Sequence, residues 1–146
     1  ACQRKESEFP MRRILIIDDD KDVRAMISIV LRVNRFEVVE AASASAGLEA
    51  FAKSAFDIVI VDIFLQGSNG FDVIAAMRER VADLPVVAMS GIATVSLVSR
   101  SAETANVARL QKPFRPNELV AAIAAAGELV GRRSAGAAEM PGGMTV

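Results

Sequence analysis

Four short apolar runs in this chain each end in a polar residue of a type that phosphoryl chemistry uses. Residues 14–17 run into Asp18, Asp19 and Asp20. Residues 58–61 run into Asp62, residues 86–89 into Ser90, and residues 108–110 into Gln111, Lys112 and Pro113. Carboxylates gathered in one place repel one another and protonate unless a cation neutralises them. Oxygen ligands without histidine or cysteine select a hard ion such as Mg²⁺, which keeps waters and recruits phosphate oxygens. Beside such an ion, a carboxylate can attack a phosphoryl group and become an acyl phosphate. Asp62 is the candidate nucleophile. Ser90 offers a hydroxyl to a phosphoryl oxygen, and Lys112 offers a compact positive charge. Each residue also has a plainer use: one of the three aspartates can cap a helix, Asp62 can cap a loop, Ser90 can sit in a turn and Lys112 can point into solvent. A lysine between an apolar strand and a proline is poorly placed for simple solvation, and Lys112–Pro113 is a candidate cis peptide.

These residues can meet only if the runs that carry them are neighbours. Short, β-branched apolar runs read as buried parallel strands, and open parallel sheets bind ligands beyond the carboxyl ends of their strands. Between the runs, helical spacing recurs. Val23, Met26, Ile27, Val30 and Leu31 share one helical face. Residues 36–40 read as a second strand. Ser43 can cap a helix running to about residue 54, with Leu48, Phe51 and Ala52 inside. After Asp62, a loop with Gly67, Ser68, Asn69 and Gly70 as breakers leads to a helix near 71–81, patterned by Phe71, Ile74, Met77 and Val81. Residues 94–105 form a weaker helix with few large apolar residues, and residues 107–111 a fifth strand. Pro116 opens a last helix to about 130, held by Leu119, Val120, Ile123 and Leu129. This alternation predicts an α/β doubly wound fold: a five-stranded parallel sheet with five helices on its two faces. With the order 2-1-3-4-5, one that such sheets adopt, Asp18, Asp19 and Asp62 end adjacent strands.

Composition narrows the function. A chain of 146 residues fits one domain, and a net charge of −1 argues against non-specific nucleic-acid binding. No apolar run approaches a membrane span. With no histidine, the chain excludes His-based triads, His-ligated zinc and a phosphohistidine of its own. The single cysteine, Cys2, cannot form an internal disulfide, which suggests a reducing cytoplasm. Residues 1–10 read as a leader ahead of a start at Met11, or as a linker from an upstream domain. Residues 11–130 read as the folded domain, and 131–146, rich in Gly, Ala, Pro and Ser, as a frayed tail.

The run Ile-Leu-Ile-Ile-Asp-Asp-Asp, the segment Asp57 to Asp62, the pair Ser90-Gly91 and the segment Leu110 to Phe114 together resemble the response-regulator receiver domain of two-component signalling. The resemblance spans about residues 11–130. It implies a flavodoxin-like fold and Mg²⁺ held by Asp18 (directly or through water), Asp19, Asp62 and the backbone carbonyl of Phe64. It also implies phosphorylation of Asp62 from the phosphohistidine of a sensor kinase or histidine phosphotransfer protein. Ser90 and Lys112 would then bind the phosphoryl oxygens, and a downstream protein target would read the result. Two positions depart from the pattern. Gln66 stands where the family usually has proline, and Arg109 where it commonly has Tyr or Phe. Burying an arginine in place of that ring is costly, so Arg109 is expected to stay outside as part of a partner surface. Phe64 and Ile92 occupy the positions that influence water attack in relatives, and their apolar side chains predict slow self-dephosphorylation.

Two alternatives compete with this reading. A small Mg²⁺-dependent phosphatase resembling the haloacid dehalogenase superfamily would use Asp18 as nucleophile. It would also need an acidic motif after Lys112, where only Glu118, Glu128 and Glu139 follow. A degenerate receiver would serve only as a binding surface; the complete acid set with Ser90 and Lys112 argues against it.

Overall fold

The computed structural model describes residues 12–91 and 106–129. The expected leader at 1–10, the weak helix at 94–105, Ile92 and the tail at 131–146 lie outside the described residues. Five strands form one parallel sheet: β1 (Arg13–Ile17), β2 (Glu37–Ala41), β3 (Ile58–Asp62), β6 (Val86–Ser90) and β7 (Ala108–Gln111). Their order is β2-β1-β3-β6-β7, which is the expected 2-1-3-4-5 arrangement once the two short strands of a separate hairpin, β4 (Phe64–Leu65) and β5 (Ser68–Asn69), are set aside.

Strand alternation divides the core in two. Ile14, Ile16, Ile58, Ile60, Met89 and Leu110 face α1 (Lys21–Val33) and α4 (116–129). Leu15, Ile17, Val59, Val61 and Ala88 face α2 (Ala44–Lys53) and α3 (Gly70–Arg80). The central strands are buried on both sides, and hence read as unbroken apolar runs rather than alternating ones. Each large side chain so buried favours folding by about 1.5–3 kcal/mol before conformational entropy is counted.

The helices start where local chemistry satisfies their first N–H groups. Asp20 caps α1, accepting from the N–H groups of Asp22 and Val23, which settles which of the three aspartates does so. Ser43 caps α2 by accepting from Ala46, and Asn69 caps α3 by accepting from Phe71. At α4 the Glu118 carboxylate reaches back to the Arg115 N–H at 2.7 Å, the return half of a capping box.

Several expectations are corrected. The loop after Asp62 contains an antiparallel hairpin, β4 (Phe64–Leu65) with β5 (Ser68–Asn69). Gly70 begins α3 instead of breaking the chain. A Cβ there would lie 2.5 Å from the Asp62 carbonyl oxygen and 2.6 Å from Ile63 Cα, so only glycine lets the helix start this close to β3. Val81 is 44% exposed, because α3 ends at Arg80 and helical periodicity stops with it; fully buried Leu84 fills the core instead. Ala52 is exposed because α2 turns Gly47 and Phe51 inward, with Gly47 seated against the Ile17 side chain.

Candidate functional site

Strand parity assembles the site. Asp18 continues the Ile14–Ile16 side of β1, Asp62 the Ile58–Ile60 side of β3, and Lys112 the Ala108–Leu110 side of β7. All three therefore point to the α1/α4 face at the carboxyl edge of the sheet. Lys112 Nζ donates to Asp18 Oδ2 at 2.8 Å and to Asp62 Oδ2 at 2.9 Å. The Lys112 N–H donates to the Ser90 carbonyl at 2.8 Å, so the β6–β7 pairing delivers the lysine to the acids. The Lys112–Pro113 peptide is cis.

Asp18 is fully buried and held from several sides. Its Oδ1 accepts from the Asp20 N–H at 2.9 Å, and its backbone N–H donates to the Ala41 carbonyl at 3.2 Å. Asp62 Oδ1 accepts from the Phe64 N–H at 2.9 Å. Asp19 is exposed, and its Oδ2 accepts from the Gln66 N–H at 3.0 Å. Ser90 is buried, and its Oγ has no hydrogen-bond partner among the described residues. A buried hydroxyl left so costs about 1–3 kcal/mol, and an incoming acceptor oxygen would satisfy it. Arg109 is exposed, as expected. Phe64 is 62% exposed beside Asp62.

Asp18, Asp19 and Asp62 each offer an oxygen within 4.8 Å of the others, so they can hold a metal ion. Three carboxylates against the single ammonium of Lys112 leave two negative charges uncompensated, which suits a divalent cation. The titration behaviour reflects the same imbalance. Burial pushes Asp18 above the usual carboxylate range, and Asp62 adds to the push; the hydrogen bonds from Lys112 and the Asp20 N–H and the lysine's charge only partly oppose it. Burial alone would lower Lys112, but hydrogen bonds and charge from Asp18 and Asp62 outweigh it and hold the ammonium above the ordinary lysine value. An acid-rich cluster destabilises its carboxylates while stabilising its cation.

Arg24 and Glu40 escaped the sequence reading. Arg24 Nη1 donates to the Asp18 carbonyl at 2.7 Å, its Nε donates to Glu40 Oε1 at 3.2 Å, and Ser28 Oγ donates to Glu40 Oε2 at 2.7 Å. A cation one turn into the helix that follows an acid pair was the available signal. Its acidic partner on β2 could be found only once the strands were ordered.

Residues 14–124 match the response regulator receiver domain family. Among curated proteins, the chain is 33% identical over 114 residues to the DNA-binding response regulator MtrA of Mycolicibacterium smegmatis, covering 78% of this chain and 50% of that protein. It is 32% identical over 116 residues to the phosphate regulon transcriptional regulatory protein PhoB of Klebsiella pneumoniae, covering 78% of this chain and 51% of that protein. The chain thus spans about half the length of these relatives. Among solved structures, NtrX from Brucella abortus superposes with a TM-score of 0.76 at 28% identity, covering 86% of this chain and 29% of that one. The chemotaxis response regulator CheY4 of Vibrio cholerae superposes at 0.72 with 26% identity, covering 80% and 98%. With its strand order, its acidic pocket and its edge lysine all in the arrangement that match requires, the chain belongs to the response regulator receiver domain family.

Proposed function

We propose that this receiver takes a phosphoryl group on Asp62 from the phosphohistidine of a sensor kinase or histidine phosphotransfer protein, in an Mg²⁺-dependent reaction. The observation that carries the reading is Lys112 bridging Asp18 and Asp62 beside the orphaned, buried hydroxyl of Ser90. An Asp62 oxygen attacks phosphorus, the donor's P–N bond breaks, and the leaving imidazole takes a proton. Asp18, Asp19, Asp62 and the Phe64 carbonyl would hold Mg²⁺, which supplies charge neutralisation for the transferring group. Lys112 can follow the developing phosphoryl charge from its place on Asp62, and the Ser90 hydroxyl gains the acceptor it lacks. Both carboxylates have each oxygen hydrogen-bonded, and Asp18 makes the poorer nucleophile because its side chain is 0% exposed against 9% for Asp62.

The phosphorylated form would favour a conformation that a downstream protein prefers. Ser90 and exposed Arg109, near the strand edge that ends in Lys112, are the proposed readout, with Arg109 part of the partner surface. Of the surface at 94–111, the described part, residues 106–111, is proposed to carry the conformational shift, and 94–105 lie outside the described residues. The apolar, exposed ring of Phe64 cannot orient an attacking water, so the acyl phosphate should be long-lived. Residues 11–130 are taken as the receiver unit. Among the described residues, no helix is long and apolar enough to cross a membrane, and a cytoplasmic setting fits the lone cysteine.

Incubation with Mg²⁺ and a small phosphodonor tests the proposal. Labelling should appear in the wild type and vanish in Asp62→Asn. Label that persists in Asp62→Asn and disappears in Asp18→Asn would favour the phosphatase-like alternative.

A further inference from the structure

The β4–β5 hairpin reaches across the site to one of its acids. The Gln66 N–H donates to Asp19 Oδ2, joining residues 47 apart in the sequence. Leu65 pairs with Ser68, so Gln66 and Gly67 are the two central residues of the turn. Gly67 has a φ of 71°, while Gln66 is not among the positive-φ residues of the described chain. That combination is the type II pattern; the turn's own bond runs from the last residue to the first and leaves the N–H of the second unused. Gln66 therefore has a donor to spare, and it is spent on Asp19.

Asp19 needs such a partner more than its neighbours do. Asp18 is walled in and Asp62 is buried, whereas Asp19 is exposed. An exposed carboxylate loses rotamer freedom when it binds a cation, and a donor fixed to one oxygen removes part of that loss beforehand. We propose that the Gln66 N–H is a positioning group for Asp19: it turns the carboxylate toward Asp18 and Asp62 before the cation arrives, and so couples the hairpin to metal binding. The proposal rests on the reading that these three acids hold Mg²⁺.

Two substitutions isolate the N–H from the side chain. Gln66→Ala keeps the donor. Gln66→Pro removes it while suiting the first central position of a type II turn, which favours proline. Mg²⁺ binding is measured by titration calorimetry on the full chain, and thermal midpoints are taken without metal. Gln66→Ala should bind within about twofold of wild type, and Gln66→Pro about three- to tenfold more weakly, a fraction of what one hydrogen bond to a charged group contributes, because the bond is present before the cation arrives as well as after. Proline restricts the unfolded chain and so offsets part of the lost bond; the metal-free midpoint of Gln66→Pro should shift by only a few degrees, and Mg²⁺ binding should weaken out of proportion to that shift, a split that a merely structural role would not give. Unchanged affinity in Gln66→Pro overturns the proposal, as does equal weakening in Gln66→Ala. Should proline disturb the hairpin, amide exchange in the wild type decides: protection at Gln66 supports the bond, and exchange at the free rate overturns it. Absence of Mg²⁺ binding in the wild type would overturn the metal reading and the positioning role together. Wild-type binding with an unaffected Gln66→Pro overturns the positioning role alone.

Discussion

Replacing Lys112 by methionine keeps an unbranched stem of similar length and deletes one charge. In the metal-free protein this strips the ammonium from Asp18, whose side chain is 0% exposed, and from Asp62, at 9%. Removing one partner of a buried ion pair costs about 3–5 kcal/mol. Here the lysine side chain is 27% exposed, and Asp18, already pushed up by burial, can escape by taking a proton. Both facts reduce the cost, to about 2–3 kcal/mol at neutral pH, or a thermal midpoint lower by roughly 10 °C. The pH dependence has a definite sign. Because Lys112 is held above its ordinary value, its contribution is present at every pH below that value and is lost as pH rises through the elevated one. Wild type and variant should therefore converge in strong alkali. They should also converge on mild acidification, as Asp18 protonates in the variant, and on adding excess Mg²⁺, which replaces the missing charge. Calorimetric or circular-dichroism melts across pH, with and without Mg²⁺, measure all three. A deficit that is the same at neutral and mildly acidic pH, or no deficit at neutral pH without metal, would refute the reasoning.

Three further outcomes are expected. Since burial raises the Asp18 pKa, protons should compete with the cation above the usual aspartate range: Mg²⁺ affinity by calorimetry should fall on acidification earlier than ordinary carboxylates would predict, and Asp18→Asn should remove that early limb. Gly70→Ala drives a Cβ against the backbone of Asp62 and Ile63, which cannot yield as a side-chain tip would, so denaturant unfolding should register a loss of about 2 kcal/mol or more and phosphoryl labelling should drop. Phe64→Gln places a water-orienting amide next to the acceptor and should speed loss of label by about three- to tenfold, with an unchanged decay counting against Phe64 as the cause of slow hydrolysis.

The fold was legible because buried parallel strands write themselves as β-branched runs with polar endings. The α/β alternation pointed to a doubly wound parallel sheet, for which 2-1-3-4-5 is one of the orders allowed, and the acids, Ser90 and Lys112 followed from their places at the run ends. The hairpin within 64–69 left no such trace: two-residue strands are too short for a period, and the glycine that looked like a breaker is the close-contact start of α3. Val81 was misplaced because a helical repeat does not announce where it stops.

By itself the sequence determined which residues lie at the carboxyl edge and which chemistry they suit, since residue type and strand parity are local properties. Only the tertiary structure decided how they are held. Lys112 bridges two acids that are 94 and 50 residues away, Arg24, held by Glu40, grips the carbonyl of Asp18, and the Gln66 N–H reaches Asp19. Those bonds depend on angles and distances between distant segments, which no periodicity along the chain encodes.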